Sequence, residues 1–291
     1  MIVTIHNDQL TLTADTLGAQ MQSITSYKGT EYLWNGDERY WKGRAPVLFP
    51  FVARLKDKTY TVNGGTYQMK IHGFASACEF EVAEQTESRV TFVLRDNEVT
   101  RAQFPFAFLF KVRYALKEST VEVTYTVDNP ADEMLHFGLG GHPGFNVPFK
   151  EGTAFEDYYL RFSQPCEPDR VGFSSEILVS GVDKRYELED GQIIRLHHDL
   201  FDHDAIVLKN MAKSVTIASD KTKRYVTVSY PQMPYVGFWH AERKDAPYVC
   251  IEPWYGRCDR VGYSGQFSER DWINSLAPGK IFKASYKIII D

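Results

Sequence analysis

Apolar and polar residues alternate along most of the chain with a period of two. Phe108, Phe110, Val112, Tyr114 and Leu116 alternate with Leu109, Lys111, Arg113 and Ala115; Val121, Val123, Tyr125 and Val127 alternate with Glu122, Thr124 and Thr126. The polar Lys117-Glu118-Ser119 lies between the two runs, so the pattern predicts a β-hairpin. The same alternation marks 9–13, 59–62, 89–94, 214–219, 225–230 and 281–290 as strands. Asn63-Gly64-Gly65, Asp128-Asn129-Pro130, Glu189-Asp190-Gly191 and Ala277-Pro278-Gly279 are turn signals between them. Helical periodicity is confined to 97–103 and 268–274, a turn or two each. Many short strands with close turns predict an all-β protein of large antiparallel sheets packed as a sandwich. A parallel α/β fold would need regular helices between strands, and they are missing.

The chain has 291 residues, enough for two domains of ordinary size. No linker, low-complexity block or fixed-period repeat divides it, so a single domain over 1–291 is expected. Aromatic residues make up 14% of the chain, a surplus that suits strands and also stacking surfaces. The formal charge is −5 and no Lys/Arg run exists, which excludes the usual footprint of a nucleic-acid binder and of a protein drawn to anionic membranes. The longest uncharged stretch, 225–241, contains two prolines and a histidine and is not a membrane span. The first twenty residues lack a basic segment followed by an apolar block, so a cytoplasmic protein with reduced thiols is expected. Cys78, Cys166, Cys250 and Cys258 have no zinc or dithiol spacing.

Four segments break the alternation and concentrate Gly, Pro, His and aromatic residues: 44–54 (RAPVLFPFVAR), 71–74 (IHGF), 138–145 (GLGGHPGF) and 250–256 (CIEPWYG). Glycines on both sides of His142 let another backbone or a ligand approach closely. Glu252 ends an apolar strand before Pro-Trp. A carboxyl there is desolvated and its pKa raised, as a general base or acid near neutrality requires; a salt bridge to Arg257 or Arg260 is the structural alternative. His72 reads equally as a strand-end histidine. Phe145, Trp239 and Trp254 offer either a stacking floor or core. The acidic and histidine-rich 197–204 matches no standard metal spacing and reads as a polar loop, with one carboxylate available to a ligand. No nucleophile elbow, phosphate loop or dinucleotide fingerprint is present.

Together with ITSYKGTEYLW (24–34) and LFDHDAIVL (200–208), these segments resemble, in order and spacing over essentially the whole chain, the galactose mutarotase (aldose 1-epimerase) family, most closely its LacX-like bacterial branch. The resemblance implies a β-supersandwich with a sugar cleft. It also implies Glu252 as catalytic base, His142 as catalytic acid and His72 as a second active-site histidine. Arg54 and Asp204 would bind hydroxyls, with Asp202 the rival of Asp204, and Trp254 and Phe145 would complete the sugar surface. Ala53 stands where the family usually has glycine. The implied reaction interconverts the α and β anomers of a hexose by ring opening at C1, with no metal, nucleotide or other cofactor. The expected partner is a small sugar, and monomer and homodimer stay open. Three other readings share these residues. A hexose-phosphate 1-epimerase would add cations such as Arg44 and Lys70. The others are a non-catalytic sugar-binding or sensing protein and a glycoside hydrolase pairing Glu252 with Asp204.

Overall fold

A computed structural model describes residues 1–291. The predicted hairpin forms from Leu109–Lys117 and Thr120–Asp128, paired Thr120 to Lys117. The 59–62, 214–219 and 281–290 runs are strands over those residues, and the other runs are strands with ends shifted by one to three positions. The Asn63-Gly64 turn joins Thr59–Val62 to Gly65–Gln68, both turn residues having positive φ as a two-residue hairpin loop demands. A short α-helix, Glu98–Arg101, is capped by Asn97, whose side chain accepts from the Thr100 N–H at 3.0 Å. The second expected helix shrinks to a 3₁₀ turn at Phe267–Glu269, because Asn274–Leu276 is drawn into a ladder with Leu135–Phe137.

Two large antiparallel sheets dominate. The first has nine strands, with Ile281–Ile290 and Thr120–Asp128 at its centre and Ile193–Arg195 and Glu81–Gln85 at its edges. The second has eight, running from Lys184–Arg185 at one edge through Ile206–Lys209, Tyr235–Trp239 and Tyr248–Tyr255 to Val47–Leu48. Leu139–Gly141 and Gly144–Asn146 both pair with Tyr248–Tyr255. A core of 67 buried residues takes side chains from both sheets, among them Val112, Val123 and Ile288 from the first and Leu208, Phe238, Val249 and Ile251 from the second. The fold is therefore the expected all-β sandwich. No helix is long and apolar enough to cross a membrane.

The central strand Tyr248–Tyr255 sets up the site. Val249 and Ile251 belong to the main core, whereas Cys250 and Trp254 belong to smaller clusters on the strand's other face. Period-two alternation puts Glu252 on that second face as well.

Candidate active site

That face of the second sheet carries a cavity of about 460 Å³. Six of the seven residues expected at the sugar site line it: Arg54, His72, His142, Asp204, Glu252 and Trp254. Phe145 does not. It is fully buried in the main core and pairs with Val249, so strand alternation turns its ring away from the cavity. Asp202 also points elsewhere; it accepts from the Arg243 N–H at 3.3 Å. Asp204, by contrast, pairs with Arg54, Nη2 to Oδ2 at 3.0 Å. Arg44 serves the fold, donating to the Gln22 carbonyl at 2.7 Å.

Local backbone shape brings the four segments together. Gly73 has φ +76°, and a Cβ there would lie 2.3 Å from the Phe49 carbonyl oxygen. Only glycine lets this turn close against 49–54. Ala53 and His72 then clamp each other: the His72 N–H donates to the Ala53 carbonyl at 2.9 Å, and the Ala53 N–H donates to His72 Nδ1 at 3.2 Å. Ala53, His72 and Asp204 all hold positive φ (60°, 65° and 72°), strain of the kind that functional sites retain. The left-handed backbone at Ala53 is one that glycine adopts without steric cost and alanine does not. On the other side Gly140 lies flat on the central strand, where a Cβ would approach the Pro253 carbonyl to 2.9 Å. This closeness delivers His142 to Glu252.

His142 Nε2 and Glu252 Oε2 are 3.2 Å apart, with side-chain exposures of 10% and 2%. The alternative partners for Glu252 are engaged elsewhere: Arg257 and Arg260 both face Asp271, at 3.0 and 3.7 Å. Burial pushes the Glu252 carboxyl well above its ordinary value. The Asp204 carboxylate pushes the same way, and the Trp254 indole opposes. Burial pushes His142 well below its ordinary value, and His72 adds to that. Near-ordinary values, with an ionised glutamate beside a protonated histidine, are thus not what this pocket favours. A dry site resists separated charges, so burial favours the neutral form of the pair over the ion pair. The His72 imidazole is pushed down to about 4, first by burial, then by the Arg54 guanidinium, with Asp204 opposing. Its Nδ1 accepts from Ala53, so the neutral ring carries its proton on Nε2.

Aromatic rings complete the walls. Trp41 lies tilted, 4.9 Å from the His142 ring, Trp239 meets it edge-on at 5.6 Å, and Trp254 lies 6.2 Å from His72. Trp41 escaped the sequence reading because it sits in an irregular loop with no periodic signal. One buried polar atom of a cavity residue, His142 Nδ1, has no hydrogen-bond partner, while the Trp254 indole N–H points toward the Glu252 carboxyl without a well-formed bond. Such orphans are rare among buried polar atoms.

The 197–204 cluster does not converge on one point. His197 bonds Asp199 at the surface. His198 stacks on Phe155 at 4.2 Å and shares a hydrogen bond with His240, Nδ1 to Nε2 at 3.1 Å. His240 is fully buried and its Nδ1–H donates to the Ala241 carbonyl at 2.8 Å. Burial pushes it down to about 4 and His198 adds to that, while its backbone bond and Asp202 oppose. The unfolded chain therefore binds a proton that the folded chain refuses between pH 6.5 and about 4. Stability contributed by neutral His240 is complete above pH 6.5 and falls by up to about 3 kcal/mol as the pH drops to 4. Urea unfolding of wild type and His240→Gln at pH 7 and pH 4.5 checks this. The variant should lose markedly less stability between the two, and equal losses would contradict it.

Sequence and structure comparisons place these features among known proteins. The family model for aldose 1-epimerase matches residues 1–288. The chromosomal LacX protein of Lactococcus lactis is 30% identical over 100% of this chain and 99% of its own length. A galactose mutarotase related enzyme from Lactobacillus acidophilus is 36% identical, with a TM-score of 0.96 over 100% of this chain and 97% of its own. A galactose mutarotase-like protein from Lactobacillus casei is 30% identical, with a TM-score of 0.92 over the whole of both chains. The chain belongs to the aldose 1-epimerase family, an isomerase on the galactose mutarotase-like β-sandwich fold.

Proposed function

We propose that residues 1–291 work as one unit that interconverts the α and β anomers of a hexose. The observation that carries this reading is the buried His142–Glu252 contact at 3.2 Å, opening on a cavity walled by tryptophans. Glu252 takes the proton from the C1 hydroxyl, and His142 Nε2 gives a proton to the ring oxygen as the C1–O5 bond breaks. The open-chain aldehyde turns about C1–C2, and closure on the other face runs both transfers backwards. The reactive arrangement differs from the resting pair only in which partner holds the single shared proton, so solvent need not supply one. His72 Nε2–H steadies the ring oxygen, Arg54 and Asp204 hold hydroxyls, and Trp254 lies against the ring.

A second reading, with a hexose phosphate as substrate, is favoured by one observation. A groove of about 790 Å³ shares Arg54 and Ile71 with the cavity and is lined by Arg54, Lys56, Lys58 and Lys70 against Asp57 and Glu176. This excess of cations would suit a phosphate. Saturation transfer between α and β signals in NMR, run with glucose, galactose and their 6-phosphates, tests both readings. Exchange faster than the spontaneous rate is expected, and the best substrate decides between free and phosphorylated sugar. Ligand-induced shifts of the protein's own signals without any acceleration would overturn catalysis in favour of binding alone.

A further inference from the structure

Cys250 has no part in the reaction above, yet it stands two residues before Glu252 on the same strand face. One ligand atom from each of His142, Cys250 and Glu252 lies within 4.8 Å of the others, and all three residues are buried. We propose that these side chains form a binding site for a soft divalent cation such as Zn²⁺, and that its occupation switches the enzyme off.

Charge is the first argument. A dication held by one thiolate, one carboxylate and one neutral imidazole is a net-neutral assembly, the form that a dry pocket tolerates. Ligand chemistry is the second. Imidazole, thiolate and carboxylate are zinc's own donors, and three protein ligands with a fourth position open to a cavity is the arrangement of exposed zinc centres. Bond lengths of about 2.0–2.3 Å put tetrahedral ligand atoms about 3.3–3.8 Å apart, so side-chain movements of about 1 Å close the site. Third, His142 Nδ1 is buried with no partner. With no acceptor to satisfy, Nδ1 can carry the neutral ring's proton, and Nε2, which faces Glu252 Oε2 at 3.2 Å, presents its lone pair to the cation once the Glu252 proton has left. The same missing partner weakens the site, since outer partners typically add 10–100-fold in metal affinity. Reversible inhibition suits it better than a permanent centre. On binding, Zn–N, Zn–S and Zn–O bonds form. The thiol proton and the proton shared by the Glu252–His142 pair leave to solvent, removing the proton that catalysis needs.

Binding is independent of the reaction proposed above; only its inhibitory consequence rests on that reading. Co²⁺ titrated into chelator-stripped protein provides a readout separate from turnover. One equivalent should give a near-ultraviolet thiolate-to-cobalt charge-transfer band, absent in Cys250→Ser and Cys250→Ala and kept in Cys258→Ser. In the anomer-exchange assay, Cys250→Ser should keep the metal-free rate within about twofold and need at least tenfold more Zn²⁺ for half-inhibition. Absence of the band in wild type, or its survival in both Cys250 variants, would overturn the site. Unchanged Zn²⁺ sensitivity in Cys250→Ser would overturn the switch.

Discussion

Glu252→Gln should slow anomer exchange by about 10²–10⁴-fold while sugar still binds within a few-fold of wild type. The carboxyl is 1% exposed and its proton-bound form is favoured by burial. Glutamine matches that neutral form in volume and still offers a polar group to His142 Nε2, 3.2 Å away. Folding stability should therefore barely change, and the loss should fall on kcat. Trp41, Trp239 and Trp254 surround the cavity, so their fluorescence reports sugar binding without turnover. In the proposed mechanism Glu252 and His142 pass one proton between them, so removing either disables the same unit. A Glu252→Gln/His142→Gln double variant should thus be little worse than Glu252→Gln alone. Retained turnover in Glu252→Gln, or lost binding in a protein that still folds, would contradict the assignment.

The strands could be read from the sequence because period two is a local signal, and every run that alternated formed a ladder. Glu252 and His142 were legible for a related reason: a carboxylate in an apolar strand and a histidine bracketed by glycines conflict with their surroundings, although the strand does not end at Glu252 as expected but runs on to Tyr255, because Glu252, Pro253 and Trp254 stay paired with Tyr235–Gly237. Phe145 was misplaced because a neighbour of a site residue in sequence can face the opposite side of a strand. The same alternation, applied to Glu252, leads to Cys250. Pairings across long separations were not legible. Arg54 meets Asp204 150 residues away, and nothing in either segment says so. The cationic groove was equally hidden, because Arg54, Lys56, Lys58 and Lys70 gather only once the Thr59–Gln68 hairpin folds back.

The buried pair Asp259–Arg270 is one such hidden contact, and breaking it should have the largest effect on stability. Asp259 Oδ1 accepts from Arg270 Nε at 2.6 Å, and the side chains are 1% and 5% exposed. Oδ2 accepts from the Lys56 N–H at 2.9 Å, and the Asp259 N–H donates to the Arg54 carbonyl at 2.9 Å. Asp259 thus ties the segment carrying Arg54 to the chain that continues from Glu252. Asp259→Ala leaves the guanidinium buried against the rings of Tyr263, Phe267 and Tyr60 with no counter-charge. The expected cost is about 3–5 kcal/mol, read from the urea midpoint at constant m-value. Replacing both partners, as Asp259→Leu/Arg270→Met, should recover much of that loss, because the stranded charge is gone. The double variant isolates the second role of Asp259. With stability restored and the backbone bond to the Arg54 carbonyl kept, but the side-chain tie to the Lys56 N–H lost, the Arg54 segment is held less tightly, so the Michaelis constant for sugar should rise while kcat changes little, since Arg54 would hold hydroxyls and move no proton. A single variant as stable as wild type would remove the argument from the buried charge. A restored double variant with unchanged Michaelis constant would show that Arg54 is placed without Asp259.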